Sequence, residues 1–173
     1  MGSLAATAMV IVGCSSVTEG AATVDTGEAP VYRASVSASI EESASSSSSR
    51  ESERQESLTT AAIHSSCEAL SSSSVDAITA VNDYVDAFNR NADVSTQAGP
   101  AIDALNNSAD LVARSVSDPL TPELRDALND WVDAARGVAT AIAGNYGTDE
   151  FNAAITRLND SKTTALDLCD ASY

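Results

Sequence analysis

The sequence predicts an all-α fold, an up-down-up-down four-helix bundle, on three observations. Apolar and small residues recur at alternating steps of four and three along four separate stretches, the spacing that lays a stripe on one helix face. Aromatic residues make up only 4% of the 173-residue chain although apolar residues make up 43%. Alanine and valine therefore carry much of the apolar share, which suits close helix packing better than aromatic-rich strands. The breaks between the stretches are short and marked by proline or glycine, and short loops join antiparallel neighbours.

In the first stretch Ile63, Cys67, Leu70, Ser74, Ala77, Val81, Tyr84 and Phe88 keep the alternation throughout, so one long helix is expected despite the serines at 71–74. The second follows Gly99-Pro100, with proline expected in a first helical turn, and repeats the stripe as Ile102, Leu105, Ala109, Val112 and Val116 before Asp118-Pro119 ends it. Thr121-Pro122-Glu123 opens the third: a cap, a first-turn proline and an acid facing the positive end of the helix dipole. It continues through Leu124, Leu128, Trp131, Ala135, Val138 and Ile142 to a turn bracketed by Gly144 and Gly147. From Thr148 the fourth places Phe151, Ile155, Leu158, Lys162, Ala165 and Cys169 in register, Lys162 being its one charged member. Residues 57–173 thus form a bundle domain with a single, modest core.

Ahead of the bundle, residues 4–13 form an uncharged apolar run of signal-peptide length, too short to cross a bilayer as a helix. The opening Met1-Gly2-Ser3 lacks the Lys or Arg that usually precedes such a core. The run closes on Ile11-Val12-Gly13-Cys14, which resembles the bacterial lipobox, and polar Ser15-Ser16-Val17-Thr18-Glu19 follows. That resemblance implies a diacylglycerol on the Cys14 thiol and removal of residues 1–13 as a lipoprotein signal peptide. The anchor would then be acyl chains, worth about 0.8 kcal/mol per buried methylene.

Residues 14–56 have little apolar periodicity and include Ala44 followed by five serines. Such a composition buries too little surface to offset the entropy of ordering, and a disordered Ser/Thr-rich tether is expected. Between Ser15 and Glu56 eight acids and three arginines give a charge of about −5, whose self-repulsion keeps a chain extended.

With Cys14 assigned to lipid, Cys67 and Cys169 remain, an even number in an oxidising compartment. An antiparallel first and fourth helix brings them to the same end of the bundle, so a disulfide is expected, closing a loop worth about 4.7 kcal/mol in the chain-entropy account. The alternative is a metal site, for which His64 and Cys67 are spaced three apart and Asp170 follows Cys169. Structural zinc sites use four ligands in tighter spacing, and oxidation competes for the thiols, so the disulfide is preferred. A thiol redox pair lacks the Cys-x-x-Cys spacing.

An apolar-Asn-Asp/Asn step recurs at Asn82-Asp83, Asn106-Asn107, Asn129-Asp130 and Asn159-Asp160, once in each expected helix. It matches no calcium loop, which needs Asp-x-Asp-x-Asp-Gly and a distal Glu. His64, the single histidine, has no partnered Gly-x-Ser-x-Gly, and Asp83 and Asp86 fall on outer faces, so no enzyme and no cofactor are expected. Trp131, Tyr84 and Phe88 occupy stripe positions, where core packing is expected before a ligand cleft.

The formal charge of −16, from 25 acids against 9 Lys and Arg, repels phosphate backbones and excludes nucleic acid as a natural partner. In its export signal, Ser-rich stalk and compact disulfide-bonded domain, the chain resembles the small lipoproteins of actinobacteria, mycobacteria in particular. That resemblance implies a lipid-anchored protein on the extracytoplasmic face of the cell membrane. Its implied role is non-enzymatic: an interaction module or accessory subunit with a protein partner in the cell envelope. A carrier or sensor of a small apolar or lipid ligand between the helices is the alternative.

Overall fold

The computed structural model describes residues 29–173; the expected signal peptide 1–13, Cys14 and the tether as far as residue 28 lie outside the described residues. Four helices follow in chain order: α1 (Ala29–Asn89), α2 (Ser95–Ser115), α3 (Pro122–Ala143) and α4 (Thr148–Asp170). The chain divides into two units, Met1–Ser46 and Ser47–Tyr173, and the bundle lies in the second.

The first unit is helical from Ala29, which departs from the expectation of a disordered tether through residue 56. The physical reason lies in what the segment lacks. Between Pro30 and Gly99 there is no proline or glycine, while Ala, Glu, Arg and Gln hold good helix propensity. Serine hydroxyls are absorbed within the helix: Ser35 donates to the Tyr32 carbonyl and Ser39 to that of Ser35. The low apolar periodicity still has its consequence, since every side chain from Pro30 to Leu58 is exposed.

Within the second unit Glu51 binds the Arg54 guanidinium through both carboxylate oxygens, at 2.7 and 2.9 Å, and accepts from Gln55 as well. Burial begins at Ile63, and the expected stripe then follows: Cys67, Leu70, Ser74, Ala77, Val81 and Tyr84 are all buried. α1 runs unbroken through residues 71–74, where Ser73 and Ser74 turn inward. Buried serines line its contact with α2. Ser66 donates to the Ser115 carbonyl (2.9 Å), and Ser108 donates to the Ser73 hydroxyl (2.7 Å), which itself donates to Ala69. Each inward hydroxyl is thereby satisfied, as burial requires.

Loops follow from local bonds. Asn91 and Asn145 take left-handed φ values of 53° and 50°. After each, the next residue's N–H returns to the carbonyl five back: Ala92 to Ala87 and Tyr146 to Ala141. This is the Schellman ending, with asparagine in the place more often given to glycine. Neither glycine bracketing the second turn holds that conformation.

α2 starts earlier than its proline suggests. Asp93 Oδ1 accepts from the Ser95 N–H (2.9 Å), and Gln97 and Ala98 donate to the Val94 carbonyl. Pro100 is consequently the sixth residue of the helix rather than a first-turn residue. The start of α3 is as expected, the Thr121 hydroxyl accepting from the Leu124 N–H at 3.3 Å with Pro122 in the first turn.

The core gathers where all four helices contribute: Leu70, Leu105, Leu128, Trp131, Val138 and Ala165 are essentially inaccessible. On the surface an ion pair joins Asp110 of α2 to Arg136 of α3 at 2.8 Å. Cys67 and Cys169 form a disulfide between α1 and α4, with their Cα atoms 5.8 Å apart.

Candidate functional site

The disulfide end of the bundle brings together the residues weighed for metal binding. His64, Cys67, Glu68, Cys169 and Asp170 border one shallow depression. Both thiols are consumed by the bond, and no group of three or more His, Cys, Asp or Glu side chains with metal-binding geometry occurs among the described residues. His64 instead packs its ring against Tyr173, the centroids 4.8 Å apart and the planes tilted by 58°.

Asparagines and aspartates of the recurring step occupy outer faces. Asp83, Asn107, Asn129, Asp130, Asn159 and Asp160 are exposed, and Asn106 alone is half-buried. They do not converge, because each step sits on the side of its own helix opposite the stripe.

The other end of the bundle holds a cleft of about 220 Å³ formed by the C-terminal turns of α1 and α3, the α3–α4 loop and the first turn of α4. Four aromatic rings line it: Tyr84, Phe88, Tyr146 and Phe151. Tyr84 and Phe151 meet across α1 and α4 with centroids 5.9 Å apart and planes tilted by 50°, so they form a corner rather than a flat wall. Asn89, Thr148 and Asn152 supply the polar part of the lining.

Phe88 is where the stripe and the structure part. Its position predicts burial, but it is 53% exposed. It lies in the last turn of α1, at the level where α4 is only beginning, so no helix covers it. Tyr146, 50% exposed, belongs to a loop with no periodicity to read. Its seat depends on Gly144: a Cβ there would fall 2.5 and 2.8 Å from two carbons of the Tyr146 ring. The sequence signal for that contact is the Gly-Asn-Tyr order itself, a small residue two before an aromatic across a left-handed asparagine. Trp131, by contrast, is a core residue as expected, 1% exposed.

Comparison with known proteins places the bundle. Residues 49–170 match the family described as the Rv2240c four-helix bundle domain. The chain belongs to that family. The matched region starts just inside the second unit and ends at the last residue of α4, so the match covers the bundle of this chain. A relative from Mycobacterium tuberculosis (strain CDC 1551 / Oshkosh), described as uncharacterized protein MT2300, is 55% identical over 173 residues, covering 100% of this chain and 88% of its own length. The mycobacterial kinship expected from the sequence is thus met. No solved structure matches the chain.

Proposed function

We propose that the protein is a lipoprotein, anchored through Cys14 to the extracytoplasmic face of the membrane, whose bundle is a non-enzymatic interaction module of a cell-envelope complex. The observation that carries this reading is the aromatic cleft: Phe88 and Tyr146 are half exposed in a chain with few aromatics. Exposed aromatics that cluster around a concavity are typical of recognition surfaces. Support for the anchor comes from the sequence alone, from the lipobox-like Ile11-Val12-Gly13-Cys14. No helix among the described residues is long and apolar enough to cross a membrane.

The alternative, a carrier of a small apolar or lipid ligand, draws on the same cleft. Its volume falls below the roughly 300–1,000 Å³ of sites for drug-sized ligands, and the interior between the helices is filled by Leu70, Leu105, Leu128 and Trp131. A small group fits these dimensions better than an acyl chain.

Two experiments test the proposal. Cys14→Ala should release the protein from the membrane fraction while leaving its thermal unfolding unchanged; continued membrane attachment defeats the anchor. Affinity purification from detergent-solubilised membranes should recover a defined partner in near-fixed proportion, and recovery of the lipoprotein alone defeats the interaction role.

A further inference from the structure

The cleft has an electrostatic character that its lining does not show directly. No charged side chain lines it, yet three helix ends meet there. α1 and α3 both finish at the cleft and bring their negative dipole ends to it; α3 has no basic residue in its last turn, and α1 has none before Arg90, which directly follows it. α4 begins there with its positive end, but Asp149 and Glu150 stand in that first turn and oppose it. Glu150 also accepts from the Gly147 N–H at 3.3 Å, which holds its carboxylate beside the helix start. The nearby cation, Arg90, follows α1 and lies 3.7 Å from the Asp86 carboxylate. Around all of this the chain carries a formal charge of −16, which draws cations towards it.

A cleft walled by four aromatic rings, with the ends of two helices and two first-turn acids around it in an acidic chain, suits one class of ligand. Ring faces are negative, and they attract a cation held within about 6 Å of the ring centre. A small inorganic ion gains little there, because it would shed water for rings and three neutral polar side chains. An ammonium whose hydrogens are replaced by methyl groups has an apolar shell and a weak hydration shell, and it keeps its charge.

We propose that the cleft formed by Tyr84, Phe88, Tyr146 and Phe151 binds a quaternary ammonium group, free or as a phospholipid headgroup. This rests on the reading of the cleft as the recognition surface of the protein and names the chemistry recognised there. Phe88 and Tyr146 are the accessible walls, Tyr84 and Phe151 the inner corner, and Gly144 a positioning residue that gives the Tyr146 ring its seat.

The test is a titration of the full-length protein in uncharged detergent, followed by the NMR shifts of the aromatic ring protons. Choline should give saturable shifts confined to these four rings, weakening as salt is added. The uncharged carbon isostere of choline should bind about ten-fold more weakly or not at all. Phe88→Leu with Tyr146→Leu, which keeps the apolar bulk and removes two rings, should weaken choline about ten-fold. Gly144→Ala should weaken it with all four rings present, and an unchanged thermal midpoint separates that loss from unfolding. Glycerophosphocholine binding more tightly than choline assigns the site to a lipid headgroup; the reverse order assigns it to a free cation. Absence of saturable shifts, or equal binding of the isostere, overturns the proposal. Because the titration needs no partner, its failure leaves the co-purification test of the interaction role standing.

Discussion

At the scale of single residues, the two turns that end in left-handed asparagine show how a local choice fixes the ends of long helices. The left-handed conformation costs an ordinary L-residue roughly 1–2 kcal/mol, and glycine nothing comparable. Asparagine is the tolerated compromise. Asn145→Gly should leave stability equal or raise it by a few tenths of a kcal/mol, whereas Asn145→Ala should lower it by about 1 kcal/mol. Urea unfolding measures both, and equal midpoints for the two variants would remove the conformational argument. The turn also bears on the cleft, because Asn145 joins Gly144 to Tyr146. What the sequence hides at this scale is position along the helix: Phe88 satisfies the stripe as well as Tyr84 does, yet Tyr84 is buried and meets the Phe151 ring of α4 while Phe88 stays half exposed.

At the scale of elements, buried serines as well as apolar residues join α1 to α2. Ser73 and Ser108 are both buried and joined by a 2.7 Å hydrogen bond. Ser108→Ala should cost about 1 kcal/mol, the net worth of such a bond, while Ser108→Val adds bulk to a close contact and should cost about 1–3 kcal/mol. If valine is tolerated better than alanine, the helices are less closely packed there than the burial indicates. The four serines at 71–74 were ambiguous in sequence for this reason: serine is equally at home in a loop, and only the partner serine on α2 fixes its burial.

The same scale governs the region around Glu51. Hydrogen bonds from Arg54 and then Gln55 hold the Glu51 carboxyl down to about 2 from the usual 4.5. A lowered value means that the pairing favours the helix above pH 4.5 and is lost as pH falls towards about 2. An NMR titration of the Glu51 side chain should therefore find its midpoint well below 4.5, and Arg54→Ala should raise it, with the Gln55 hydrogen bond still holding it below 4.5. A midpoint unmoved in the intact protein would mean that the pair does not persist in solution. The helix here runs where a disordered tether was expected, because low hydrophobicity reports the absence of a core and says little about backbone conformation in a segment without glycine or proline.

At the scale of the whole molecule, the disulfide closes the bundle across 102 residues of sequence. Replacing both Cys67 and Cys169 with Ala should cost about 2–5 kcal/mol and lower the thermal midpoint by roughly 10 °C. Calorimetry with and without reductant provides the check: reductant should destabilise the natural protein and leave the double variant unchanged. A double variant as stable as the parent would show that the core alone holds the fold.

The number of helices, their stripes, the start of α3, the loop positions to within a few residues and the pairing of Cys67 with Cys169 were all determined by the sequence alone. Each follows from periodicity, from capping chemistry or from the antiparallel order that short loops impose. Only the tertiary structure decided which stripe residues remain uncovered, that buried serines bond α1 to α2, and that four aromatics meet at one end. The physical reason is common to these cases. A helix declares its faces through local spacing, but whether a face is covered depends on where neighbouring helices begin and end, and that is fixed by contacts between residues far apart in the chain.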